Sequence, residues 1–286
     1  MTELVENLGP PAVREPEEAP APAPRRRDSW LSAYIEELGA LVLLSLAVLR
    51  RWTTPPVAWW REAVDQAWIA LRRCMIPGVI SVFAFAYGAP GIEGGVISST
   101  LGATDRIGVF FSVGATREFV PWVTGMVVAG VAGTAITADL GARRTRDELD
   151  ALAVMGVDIT RFLVAPRVLA LMVVMPIANA FGLVFAAVAG VLAELTYEGT
   201  VAGYLETFQV GFTAVDLAAN VIKTVTFGFL IGLVCSFKGI RASGGPEGVG
   251  RAVNQAVVMA FVALWVFNFA FNATYQALFP TAVGLR

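Results

Sequence analysis

The chain contains no histidine, and its only cysteines are Cys74 and Cys235. Without histidine it lacks the commonest neutral metal ligand and the side chain most often used as a general base. The two cysteines lie far apart, each in or beside an apolar segment, which suits isolated thiols rather than a disulfide or a metal pair. Charge is also scarce. Asp, Glu, Lys and Arg make up 15% of the 286 residues, against about 25% in an ordinary soluble domain. The net charge of −2 leaves no basic surface, so no nucleic-acid partner is expected. No Gly-rich loop ending in Lys-Ser/Thr occurs, so the chain has no ATP-phosphate cradle of its own. What is abundant is apolar: 56% hydrophobic residues and 28 glycines, with a mean hydropathy of +0.67. These values describe an integral membrane protein.

The apolar residues predict an all-α polytopic protein with five transmembrane helices. Residues 1–28 are proline-rich and lack apolar periodicity, so they read as a disordered cytoplasmic tail ending in Arg25–Arg27. Residues 29–73 read as interfacial, amphipathic helices. The apolar run from Leu38 is too short to cross and is closed by Arg50, Arg51 and Trp52. Arg61–Arg73 reads as a second such piece. Residues 74–286 hold the spans. The first begins near Cys74 and is broken around Gly88, Pro90 and Gly91, which suggests a transport path. A short apolar piece, GVFFSVGA, leads into the second span. The third covers 168–193, the fourth about 217–237 with Lys223 snorkelling near its outer end, and the fifth about 253–271. Five spans put the N-terminus in the cytoplasm and the C-terminus outside. The basic 143–146 and 238–251 turns then share the inner side, and the acidic 194–216 segment lies outside.

The stretch from Phe119 to Asp158 organises the chain. An uncharged span runs from Phe119 to Ala138, and charge then crowds in at Arg143, Arg144, Arg146, Asp147, Glu148 and Asp150. Thr145 followed by Glu148 has the spacing of a capping box, which predicts a helix from 145 to 156. Leu149, Leu152 and Met155 would form its apolar edge, and Gly156 would permit its end. Small residues allow helices to approach closely in hydrocarbon. Gly125, Gly130 and Gly133 in the second span, and the Gly228–Gly232 pair in the fourth, are therefore expected to pack against other helices. Asn268 and Asn272 share one helical face and are placed to bond across helices.

The segment GMVVAGVAGTAITADLGARRTRDELDALAVMGVD, followed by RFLVAPRVLA, resembles the signature of the MlaE-type permeases, called YrbE proteins in actinobacteria. IKTVTFGFLIGLVCSFKG and GGPEGVGRAVNQAVV continue the likeness, which covers roughly 60–280. These permeases are membrane subunits of ABC systems that move lipids together with MCE proteins. The resemblance implies a five-span fold with an N-terminal interfacial helix and a cytoplasmic coupling helix that docks on a separate ATPase. Thr145, Arg146, Asp147, Glu148, Leu149, Leu152, Met155, Gly156 and Asp158 occupy that coupling segment. It also implies a second homologous permease, MCE proteins on the outer side, membrane lipids as cargo, and ATP with Mg bound only by the ATPase. The long tail and overall style are similar to the mycobacterial branch, where two different permeases pair. Two positions depart from the family pattern. Val131 stands where an arginine is usual, and Phe119-Val120 stands where Leu-Gly usually separates Glu118 from Pro121. Tyr87, Glu118, Pro121, Val131 and Asn268 are the candidate lining of the transport path.

Two other functions compete with transport. One is a non-transporting scaffold for a cell-envelope complex. The other is an intramembrane lipid-modifying enzyme with a metal held by Asp139, Asp147, Glu148 and Asp158, although arginines stand among these acids. Transport without catalytic residues in this chain fits the sequence best.

Overall fold

An apolar run of about twenty residues cannot leave backbone N–H and C=O groups unpaired in hydrocarbon, so it closes them along its own axis as helix. The computed structural model describes residues 30–53 and 59–279, and the regular structure among them is helical. The tail read at residues 1–28 lies outside the described residues. In chain order the helices are α1 Trp30–Thr53, α2 Trp60–Thr100, α3 Ile107–Thr145, the short α4 Glu148–Val154, α5 Thr160–Thr196, the short α6 Val201–Gly211, α7 Ala214–Ile240 and α8 Gly245–Leu278. Five of them, α2, α3, α5, α7 and α8, are long and apolar enough to cross a membrane. The chain is a multi-pass membrane protein.

Among the described residues, those from Leu41 onward belong to one compact unit, and 30–40 to another. Within the larger unit α5 packs along both α2 and α7, and α7 also packs along α3 and α8. One apolar centre gathers Cys74, Ile136, Leu171, Phe227 and Ile231. A second gathers Val82, Phe111, Val120, Ala189 and Tyr204. The later part of α1 is two-faced: Val48 is buried and Trp52 packs on Phe229, whereas Leu43, Leu46 and Leu49 are exposed.

Several boundaries differ from the sequence reading. The helix that carries Cys74 begins at Trp60, so Arg61–Arg73 forms its first turns rather than a separate piece. The expected break at Gly88–Gly91 is a widened π turn, Tyr87–Glu93, inside a continuous helix. The wider turn accommodates Pro90, which has no N–H and whose ring crowds the carbonyl behind it. α3 likewise absorbs GVFFSVGA and continues through π turns at Ala115–Phe119 and Ala129–Gly133.

Candidate functional site

Two places collect the functional candidates. The first lies where α3, α7 and α8 meet at the π turn Ala115–Phe119. A π turn shifts backbone pairing and leaves carbonyls for side chains to satisfy. Here Asn220 donates to the Thr116 carbonyl at 2.5 Å, and the Lys223 ammonium donates to the Arg117 carbonyl at 2.6 Å. Lys223 also donates to Asn268 Oδ1 at 3.0 Å and Asn272 Oδ1 at 2.6 Å. Both asparagines donate onward to the Glu118 carboxylate, Asn268 at 3.2 Å. One turn away, Asp216 accepts from Arg117 Nε at 2.8 Å, Thr213 Oγ1 at 2.6 Å and Tyr275 Oη at 2.5 Å. Asn179 on α5 ties in through Asn220 at 2.7 Å.

Arg117, Lys223, Glu118 and Asp216 sum to zero charge, which is what allows ionic groups to sit inside a span. The residual cavity is about 10 Å³, near the lower limit for a single water. The cluster is therefore a closed lock between helices in this conformation.

Lys223 does not snorkel. It is 2% exposed, because the freed Arg117 carbonyl and two asparagines hold its ammonium inside. Among the expected path residues, Glu118 and Asn268 meet in this cluster, and Pro121 is buried just beyond it. Tyr87 lies elsewhere, with its hydroxyl 3.3 Å from Thr196 Oγ1. Val131 packs against the centre around Cys74. Sequence reasoning missed Arg117, Asn179, Asp216, Asn220 and Tyr275. The signal was present: Asp216, Asn220 and Lys223 recur at i, i+4, i+7 on α7, as do Asn268, Asn272 and Tyr275 on α8.

The second place is α4. α3 continues through Thr145, whose hydroxyl bonds back to the Ala142 carbonyl at 3.1 Å, so it caps nothing. Asp147 is the residue before the helix, in a left-handed conformation at φ 58° with no side-chain cap bond, and Glu148 pairs with Arg146 at 2.8 Å. The capping box is absent because its threonine is spent on the preceding helix. The helix therefore begins at Glu148 and its apolar edge is displaced. Leu149 is 2% exposed, Leu152 is half-buried, and the residues that protrude are Val154 at 89% and Met155 at 68%. Gly156, at φ 77°, ends the helix as expected. Its N–H reaches the Ala153 carbonyl at 3.0 Å and that of Val157 reaches Leu152 at 2.9 Å, the paired bonds of a Schellman end. Arg144 pairs with Asp150, and Arg51 with Asp158 at 2.6 Å.

The four acids of the metal alternative do not converge. Asp139 is held by Arg167 and Arg143, Glu148 by Arg146 and Asp158 by Arg51.

The glycines divide. A Cβ on Gly232 would lie 2.8 Å from Val168 Cα, and one on Gly228 would meet the Leu171 carbonyl. α5 and α7 thus touch backbone to backbone. Gly125 faces Phe227 at 3.1 Å, and Gly133 faces Cys235 Sγ at 2.7 Å. Gly130 is exposed, with nothing within 4 Å of its Cβ position, so it packs against no helix among the described residues.

The MlaE permease family (Permease MlaE) matches residues 64–274. A probable ABC transporter permease of Rickettsia typhi is 26% identical over 223 residues, covering 77% of this chain and 84% of that protein. A probable ABC transporter permease of Synechocystis is 35% identical over 154 residues, covering 53% of this chain and 58% of its own. The chloroplastic protein Trigalactosyldiacylglycerol 1 of Arabidopsis thaliana is 29% identical over 153 residues, covering 53% of this chain and 44% of its own. With a family match across most of its length and across all five spans, the chain belongs to the MlaE permease family, as a non-enzymatic membrane subunit of an ABC transporter that works with a partner ATPase.

Proposed function

We propose that this permease moves lipids across or out of the cell membrane, in a complex with MCE proteins on the outer side, driven by ATP and Mg bound on the partner ATPase. A second homologous permease completes the membrane part. The name of the Arabidopsis relative is that of a glycolipid, which supports a lipid cargo.

The observation that carries the coupling role is α4. A short helix fastened by Arg144–Asp150 and Arg146–Glu148 presents Val154 and Met155 to solvent beside the basic end of α3. Two protruding apolar side chains on an ion-paired base suit docking into a groove of a soluble subunit. In this reading the basic ends of α3 and α7 are cytoplasmic, the C-terminus is external, and the exposed leucines of α1 lie in the membrane interface.

The test is co-purification. Val154→Asp/Met155→Asp is expected to insert normally and pair with the second permease but to lose the ATPase. Normal ATPase stoichiometry in that variant would remove α4 from the coupling role.

A further inference from the structure

At the end of the bundle opposite the Lys223 cluster, three helical faces converge on a cavity of about 280 Å³. α2 contributes Gln66, Ile69, Ala70 and Arg73, α3 contributes Ala132, Ala135, Ile136, Asp139 and Arg143, and α5 contributes Arg167, Ala170 and Leu171. Each set has three- and four-residue spacing, so each helix turns one continuous stripe into the cavity. The stripes are graded along their length. Ala132, Ala135, Ile136 and Leu171 form an apolar part, and Arg73, Arg143 and Arg167 supply charge.

The cations outnumber the anions. Asp139 is the one acid in the lining, and both its oxygens are taken, Oδ2 by Arg167 Nη2 at 2.6 Å and Oδ1 by Arg143 Nε at 3.3 Å. Arg167 is fixed: its side chain is 3% exposed and Nη1 donates to the Leu163 carbonyl at 2.7 Å. Arg143 uses only Nε among the described residues, so its two Nη groups keep their donors. Arg73 makes no ion pair or hydrogen bond among the described residues. A structural salt-bridge cluster would close its charges; the lining of this one holds a net +2, which Glu62, bonded to Gln66 and close enough to act on Arg167, lowers to +1 without closing it.

We propose that this cavity is a binding site for the phosphate-bearing headgroup of an anionic membrane lipid, held by Arg73 and Arg143, with the Arg167–Asp139 pair forming part of its wall. Arginine forks match phosphate oxygens bidentately. The apolar part favours a lipid over free phosphate, because a small anion gains nothing from Ile136 and Leu171, whereas glycerol and the first acyl carbons do. With the orientation proposed above, the lipid comes from the cytoplasmic leaflet. The site lies apart from the cluster around Glu118 and does not depend on the cargo assigned to it.

The test uses the full chain with its partner subunits in phosphatidylcholine nanodiscs. These expose both membrane faces, so a failure of the topology would not mask the result. A phosphatidylglycerol with a photoreactive diazirine near its glycerol is crosslinked, and the labelled peptides are mapped. Labelling of peptides containing 66–73 and 132–143 is expected, about tenfold stronger than with the matched phosphatidylcholine, as one charge-assisted contact predicts. Arg73→Gln/Arg143→Gln should reduce this preference to the phosphatidylcholine level. Arg72→Gln, whose side chain instead stacks on Trp68, should leave it intact. If the double variant unfolds, Arg73→Gln alone serves, since that exposed side chain holds no partner among the described residues. Unchanged labelling in the folded variant would overturn the site, as would an equal loss in Arg72→Gln. Displacement of the lipid by inorganic phosphate at an equal concentration would overturn the lipid assignment in favour of a small-anion site.

Discussion

Lys223→Met is the sharpest test of the closed lock. Methionine keeps much of the lysine's length but removes the ammonium that serves the Arg117 carbonyl, Asn268 and Asn272. In soluble proteins a hydrogen bond to a charged group contributes about 1.5–3 kcal/mol. Cross-helix polar contacts in membranes average about 0.6 kcal/mol, so three sum to about 2 kcal/mol at the lower limit. The substitution also leaves a net −1 in a cluster that summed to zero; because Lys223 reaches Glu118 through Asn268 and Asn272 rather than as a direct ion pair, the cost of about 3–5 kcal/mol for breaking a buried pair is an upper limit. Partial access of Glu118, which is exposed on the surface of this chain, moderates the second figure. The expected loss is therefore about 2–4 kcal/mol, read as detergent-induced unfolding of the purified protein. Glu118→Gln keeps an acceptor for the two asparagines while restoring neutrality, so the double variant should recover about 1–2 kcal/mol of that loss. Strict additivity, or a Lys223→Met protein as stable as the parent, would refute the account of a charge-balanced lock.

Gly232→Leu is expected to prevent or weaken assembly by overpacking α5 against α7, at about 1–3 kcal/mol or more, whereas Gly130→Leu should leave monomer stability unchanged; equal thermal midpoints for both would contradict the packing. Thr145→Ala should change stability by less than about 0.5 kcal/mol, because the hydroxyl caps no helix; a loss near 1 kcal/mol in thermal unfolding would restore the capping box. Cysteines placed at 145 and 200 should label from opposite sides of intact cells, and labelling of both from outside would sink the five-span orientation.

The spans are legible because in hydrocarbon a long uninterrupted apolar run satisfies its own backbone only as a helix, and hydropathy reads such runs directly. Helix continuity was less legible. Gly88, Pro90 and Gly91 look like a break, but a π turn absorbs them without leaving the helix, and no one-dimensional pattern distinguishes the two. The capping box failed for a related reason: Thr145 satisfies the spacing, yet the preceding helix reaches it first. The distance from Lys223 to the end of the span points it toward the headgroups, but the side chain turns inward. Its fate depended on a carbonyl freed by a π turn in another helix, which is tertiary information. The cross-helix bonds of Asn268 and Asn272 are legible because their spacing alone places them on one face.

We propose that an ATPase bound at α4 drives lipid movement through this permease. The direct measurement reconstitutes the complete complex in proteoliposomes and follows a fluorescent phospholipid with and without ATP. The account predicts ATP-dependent lipid movement in the parent, and its loss in Val154→Asp/Met155→Asp together with the bound ATPase. Lipid movement at the parental rate in that variant, with the ATPase still in place, would contradict it.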